Sequence, residues 1–397
     1  RRSRGLGDVY KRQVYGNSEA ASHYTQALDA LARLPSPPDP IQILELRLAR
    51  EEVYALLGER AAQAEDLDSL EALAVELDDG GTQGLAQRAE VALRQARYAE
   101  VTSAYEDARS AGQQVVQLAQ SMQEAAYSIP QSETPQEQTV RLQSAGYLIW
   151  GTALWRQGDN PPARARLEQA LALAKTWRFR DLEADCLRNL GLVCLNEGQY
   201  AEAEDYFEQT LEMTCEEGEQ RCQAVALNSL GIASSNQGQF AQARAYYEQS
   251  LQISRQIGDR RSESVALNNL GTVLQYQGDY EGAGVNFEQV LRLFREIGDR
   301  QSEGLALANL GDVADYRGDY QTARGHYQLS LLVFQEIGDR QTEGWILGNL
   351  GNACDSLADY PSAGEYHKEA LAALRQVGDR RGEGFVLANL GLLAHHE

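Results

Sequence analysis

Long apolar runs are missing from this chain of 397 residues; the longest, around Leu190 to Leu195, is a handful of residues. A bilayer span needs roughly 18, so no membrane association is expected, and the expected location is cytoplasmic. Positive charge is scarce as well. The 36 basic residues, nearly all Arg, face 58 acidic ones, for a formal net charge of −22. That excess repels phosphate backbones, so nucleic-acid binding is not expected and a basic partner is favoured. The five Cys (Cys186, Cys194, Cys215, Cys222 and Cys354) are odd in number and contain no C-x-x-C pair. This suits reduced thiols better than a disulfide framework or a zinc site. The five His are scattered, apart from the adjacent pair His395 and His396. Neither a G-x-x-x-x-G-K-S/T phosphate loop, an H-E-x-x-H helix nor a G-x-S-x-G nucleophile turn occurs. No catalytic, cofactor-binding or metal-binding residue is therefore assigned, and the chain is not expected to be an enzyme.

An initiating Met is also missing. The stretch DVYKRQ (8–13) is what the end of a sequencing-library transposon encodes, so residues 1–13 are expected to be a library or cloning scar. At the other end LANLGLLAHHE stops within a helical pattern, and the natural protein is expected to be longer.

What the chain does have is one phrase printed again and again. LNNLGTVLQYQGDY at 267–280 returns as LANLGDVADYRGDY at 307–320 and as LGNLGNACDSLADY at 347–360. The Leu-Gly pair stands at Leu190-Gly191, Leu230-Gly231, Leu270-Gly271, Leu310-Gly311, Leu350-Gly351 and Leu390-Gly391, with Trp150-Gly151 a looser seventh. Such a period marks an array that grows along one direction. Leu267, Leu270 and Leu274 share one helix face. Gly278-Asp279-Tyr280 breaks the pattern, and Tyr280, Ala283, Phe287, Val290, Leu291 and Phe294 mark a second helix. Gly298 is placed to end that helix in the left-handed conformation, and Asp299 to cap the next one. Gly271 sits inside a helix at a cost of about 1 kcal/mol relative to Ala. Close approach of the paired helix at Ala283 is the expected reason, repeated at Gly191 with Ala203, Gly231 with Ala243, Gly311 with Ala323 and Gly351 with Ala363.

A helix pair with Leu, Leu-Gly, Ala, an aromatic and a small residue at these offsets resembles the tetratricopeptide repeat. The 40-residue period resembles its extended-helix variety, found in kinesin light chains, spindle-orientation adaptors and bacterial signalling proteins. The resemblance implies an all-α, right-handed superhelical solenoid of antiparallel helix pairs. Six repeats are expected over 144–383 and a truncated seventh over 384–397. His367 departs from the aromatic series Phe207, Tyr247, Phe287 and Tyr327, and Ala358 replaces the turn glycine. Residues 14–143 carry degenerate helical repeats, broken at Pro35 to Pro40, at Asp78 to Gly81 and at Ile129 to Pro135. Their wording resembles the helical arms of bacterial multidomain signal-transduction ATPases.

Asn recurs before the Leu-Gly pair at Asn189, Asn269, Asn309, Asn349 and Asn389, with Ser229 once in its place. Asn is a mediocre helix former, so the row needs a reason. The resemblance implies that these amides line a concave groove and hydrogen-bond the backbone of a bound peptide. The structural alternative is a strut, each Asn bonding its own or an adjacent repeat. Asn228 and Asn268, one residue before the row, and Tyr276 and Tyr316, at one shared offset, are further candidate groove positions. Asp312, Asp315 and Asp355, with Asn352 between them, suggest a locally acidic groove that prefers an Arg- or Lys-bearing segment; the alternative is an ordinary solvated face. The chain is thus expected to be a protein- or peptide-binding module, either the sensing arm of a larger bacterial signalling protein or a freestanding adaptor. A rigid spacer without a ligand is the third reading, and the Asn row speaks against it.

Overall fold

Short two- or three-residue turns between helices set the architecture of this all-helical chain. A computed structural model describes residues 2–34, 38–128 and 136–396, with side chains from residue 17 onward except those at 126–128, 216–217 and 395–396. The side chains of residues 1–13 and of the His395–His396 pair, the first half of the Pro35–Pro40 break (35–37) and the Ile129–Pro135 break lie outside these. Among the described residues there are 18 helices and no strand. One compact unit, Arg1–Met213, holds α1 (Arg2–Ala32), α2 (Pro40–Leu57), α3 (Arg60–Glu76), α4 (Thr82–Val101), α5 (Tyr105–Ser128), α6 (Gln136–Arg156), α7 (Asn160–Trp177), α8 (Arg180–Asn196) and most of α9 (Tyr200–Glu217). The second unit, Thr214–Glu397, holds α10 (Gln220–Asn236), α11 (Phe240–Ile257), α12 (Arg260–Tyr276), α13 (Tyr280–Ile297), α14 (Arg300–Tyr316), α15 (Tyr320–Ile337), α16 (Arg340–Ser356), α17 (Tyr360–Val377) and α18 (Arg380–His396). No helix among the described residues is long and apolar enough to cross a membrane.

From α12 onward the turns of the second unit are written in side-chain chemistry, whereas Glu219 and Gln239 before α10 and α11 make no such cap. Asp259, Asp299 and Asp339 accept from the backbone N–H of Ser262, Ser302 and Thr342, which starts α12, α14 and α16. Asp279, Asp319 and Asp359 do the same for the second helices through Gly282, Thr322 and Ser362. These bonds satisfy amide groups that the first turn leaves without a partner. Gly298 ends α13 at a φ of 79°, a conformation that costs a residue with a Cβ. At the equivalent of Gly278, Ala358 takes a φ of 58°, so this turn carries a local strain that Gly198, Gly238, Gly278 and Gly318 avoid at the same place.

A buried carboxylate locks three of the turns. Glu303 receives Arg295 Nε–H at 2.8 Å and Arg300 Nη1–H at 2.5 Å. Burial pushes the Glu303 carboxyl up, but the two guanidinium groups outweigh it and hold the carboxyl below its ordinary value. Arg255 and Arg260 grip Glu263 in the preceding repeat, and Arg340 grips Glu343 in the following one.

Within each pair the first helix packs on the second (α10 on α11, α12 on α13, α14 on α15, α16 on α17). The paired helix does come close at the Leu-Gly glycine, but through a different side chain from the alanine expected. A Cβ on Gly271 would fall 2.8 Å from Phe287 Cε1, and one on Gly311 would fall 2.5 Å from Tyr327 Cε1. Phe207, Tyr247 and His367 stand in the same way over Gly191, Gly231 and Gly351. The ring 16 positions on is therefore the first thing a Cβ would strike, ahead of the alanine 12 positions on. The alanines Ala203, Ala243, Ala283, Ala323 and Ala363 are fully buried all the same.

Gly311→Ala should therefore lower stability by about 1–3 kcal/mol, the usual range for overpacking a core. Gly391 holds the same place in the phrase, but among the described residues no atom beyond its own helix backbone lies within 4 Å of its Cβ position. Gly391→Ala should be neutral or slightly stabilising, because Ala is the better helix former. Thermal melts of both variants check the pair; equal destabilisation would contradict the ring contact as the cause.

Candidate functional site

Residues at i, i+4, i+7 and i+11 of a helix share a face. On α12 that face presents Val265, Asn269, Thr272 and Tyr276, and on α14 it presents Leu305, Asn309, Asp312 and Tyr316. Where helices of the same layer touch in the second unit, the first helices do so, α10 on α12 and α16 on α18. The faces of successive first helices thus lie side by side.

Amide side chains link them. Asn269 Nδ2–H donates to Asn228 Oδ1 at 3.0 Å, and Asn309 Nδ2–H donates to Asn268 Oδ1 at 3.0 Å. Asn389 Nδ2–H reaches Asn352 Oδ1 at 2.8 Å. In each of these pairs the row Asn is the donor, and the acceptor belongs to the preceding first helix. Ala308 stands where Asn228 and Asn268 stand in the earlier repeats, so Asn349 meets no such acceptor. Among the described residues no hydrogen bond uses the half-buried Asn349 amide. Ser229 and Asn189 turn inward instead and bond the carbonyl oxygens of Val225 and Asp185 on their own helices. Asn189 lies in the first unit, where it lines a cavity of about 130 Å³ with Arg97, Glu100, Asp185 and Arg188.

The strut geometry does not use up these amides. Each pair spends one N–H and one carbonyl oxygen, while an amide carries two donors and an acceptor with two lone pairs. No described bond uses Asn228 Nδ2, Asn268 Nδ2, Asn269 Oδ1 or Asn309 Oδ1. Each pair thus still offers a donor and an acceptor at the first-helix face.

Beyond the amides, exposed Tyr276 stacks on Phe240 and exposed Tyr316 stacks on Tyr280, with ring centroids 5.6 Å apart in both cases. The acidic residues fall next to them. Asp312 is half-buried and accepts from the Tyr327 hydroxyl at 2.7 Å. Burial raises the Asp312 carboxyl above its ordinary value, the Tyr327 hydroxyl opposes the rise, and neighbouring Asp315 adds to it. Burial also raises Asp315. Asp355 faces His367, whose imidazole is pushed down by burial and whose Nδ1 has no partner. Among the described residues no group of three or more His, Cys, Asp or Glu side chains could hold a metal ion.

One row escaped the sequence reading. Val225, Val265, Leu305, Trp345 and Phe385 recur at 40-residue intervals, one turn before the amides. Val265, Leu305 and Phe385 are 40%, 46% and 38% exposed, and Trp345 is tilted against Phe385 with centroids 5.6 Å apart. The interval was the available signal. The apolar type of these side chains hid them among the core residues.

Helix pairs stacked in register, with one face repeated along the first helices, define a helical-repeat protein. The tetratricopeptide repeat family model matches residues 143–216 and, in overlapping stretches, 222–296, 262–331 and 302–376. These cover more than half of the chain, which belongs to the tetratricopeptide repeat family. Among solved structures it is similar to the apo form of the quorum sensor NprR from B. thuringiensis, at 13% identity and a TM-score of 0.60, covering 92% of this chain and 99% of that one. It is also similar to a Rap protein complexed with competence and sporulation factor, at 13% identity and a TM-score of 0.57, covering 89% and 98%. A third is the signal transduction ATPase with numerous domains from Pyrococcus horikoshii that carries a tetratricopeptide repeat sensor. There the identity is 15% and the TM-score 0.52, over 87% of this chain and 54% of that one. At these identities the likeness is one of fold. No curated protein matches the sequence.

A carboxyl raised on folding makes the folded state hold its proton more tightly than the unfolded state does. Ionised Asp312 therefore costs stability above its folded titration, and the cost vanishes below its unfolded value of about 3.9. Asp312→Asn should raise the melting temperature at pH 7, with the gain shrinking to nothing by about pH 4. Melting curves across that range check it; destabilisation at pH 7 would contradict the assigned cause.

Proposed function

We propose that the chain is a non-catalytic binding module that holds an extended peptide, or an extended segment of a partner protein, along the first-helix face of its second unit. The observation that carries this reading is the set of half-used amide pairs, Asn269 with Asn228 and Asn309 with Asn268. A backbone peptide group needs one donor and one acceptor, whatever its side chain, and each pair leaves one of each unused at a fixed position. The pairs hold neighbouring repeats together and present the remainder already oriented, which reduces the ordering cost of binding. Asp315, Asp355 and the excess of acid over base favour a ligand with basic residues. The family and the fold shared with the Rap protein, whose structure holds the competence and sporulation factor, support the reading.

In its cellular setting the module is the sensing arm of a larger bacterial signalling protein. The fold shared with the repeat sensor of the signal transduction ATPase supports this architecture. A freestanding adaptor is the second reading, favoured by the near-complete coverage of the quorum sensor NprR.

The test uses peptides selected from a displayed random library against the intact chain. Asn268→Ala combined with Asn309→Ala should weaken the selected peptides by about tenfold or more, since each net hydrogen bond contributes about 0.5–1.5 kcal/mol. The melting temperature should move by only a few degrees. Unchanged affinity with a large loss of stability would assign the amides to repeat packing alone and overturn the reading.

A further inference from the structure

Exposed apolar side chains scattered singly over a surface are ordinary. Five in register, three of them exposed and two half-buried, one on each first helix of the second unit, are not scattered. Val225, Val265, Leu305, Trp345 and Phe385 occupy one row on the same face as the amides. Exposure brings such residues no stability, and a contiguous apolar strip rimmed by polar groups marks an interaction surface.

The helix sets the dimensions of this strip. From Val265 to Asn269 is four residues, about 6 Å along the axis, and from Asn269 to Tyr276 is seven, about 10 Å. From α12 to α16 the amides therefore run between a near apolar edge and a far edge made by Tyr276 on α12, Asp315 and Tyr316 on α14 and Asp355 on α16. A chain held on the amides directs side chains to both sides. Short apolar ones span the near distance. Spanning the far one takes the length of Lys or Arg, and the charge waiting there is negative. Packed helices lie about 8–10 Å apart, and an extended chain of the polyproline II type advances about 3.1 Å per residue with three residues per turn, so about one turn of ligand passes each repeat and every third side chain points the same way.

Resting on the peptide-binding reading above, we propose that the ligand is an extended segment with apolar side chains along one edge and Lys or Arg along the other, one of each for every repeat from α12 to α16. Its sequence then has a three-residue period of apolar, basic and freely variable positions. Specificity comes from the two edges, and the amides between them supply a grip indifferent to sequence.

Two acetylated, dye-labelled peptides of identical composition test this by fluorescence anisotropy with the intact chain. One repeats Leu-Arg-Ser four times, and the other carries the same residues shuffled out of period. The periodic peptide should bind at least tenfold more tightly. Val265→Asp with Leu305→Asp should remove most of that difference, and both side chains are exposed, so folding is retained. Leu332→Asp on α15, 62% exposed and off the strip, should leave binding unchanged. Equal binding of the two peptides, or indifference to the Val265 and Leu305 changes, would overturn the proposal. If library-selected peptides still depend on Asn268 and Asn309 but lack the apolar-basic period, this inference fails while the binding reading stands. If no peptide binds at all, both fail.

Discussion

A ring laid over a glycine is the contact on which the repeat geometry depends. In five successive pairs the aromatic or imidazole ring of the second helix occupies the space a Cβ would fill on the first. The ring brings the two helix backbones together, and that approach buries the alanine beside it. With each pair fixed internally, the remaining freedom is how one pair meets the next. Capped turns and the Arg–Glu clamps around Glu263 and Glu303 restrict that freedom. The amide pairs then join neighbouring first helices. The first-helix face inherits its regularity from this order of constraints, and so do the rows of side chains on it.

Much of this was legible in the sequence because the array prints its solution several times. The turn residues were read correctly: Asp299 caps and Gly298 terminates, as their types require. At Gly271 the close approach was legible but the residue that makes it was not, for a physical reason. Ala283 and Phe287 are one turn apart on the same helix face, and periodicity cannot say which of the two lies against a glycine. For the Asn row the sequence left two roles open. It could not show that the acceptor for Asn269 is the residue one place before the row in the preceding repeat, since that pairing depends on how adjacent helices are rotated. The apolar row was missed altogether. In a helix touched on several sides, a core Leu267 and an exposed Val265 look alike by type, and only packing separates them.

Several residues of this face are poor choices for stability alone. Asp312 and Asp315 are half-buried carboxyls raised by their surroundings. Asn349 has lost the acceptor its counterparts keep, and His367 buries a ring nitrogen without a partner. Val265 and Leu305 leave apolar surface in water. Together these departures lie on, or directly under, one face of the second unit. A purely structural spacer has no use for them, because each could be replaced by a residue that packs or hydrates better. A surface kept ready for a partner does, since unmet polar and apolar groups are what a ligand satisfies.

The most direct measurement is a crystal structure of the intact chain with a library-selected peptide bound. The account predicts the peptide extended across α12 and α14, its backbone within hydrogen-bond distance of the amides of Asn268, Asn269 and Asn309, and its side chains divided between Leu305 on one edge and Asp315 on the other. A peptide seated on the second helices, or one that leaves the amide pairs untouched, would contradict it.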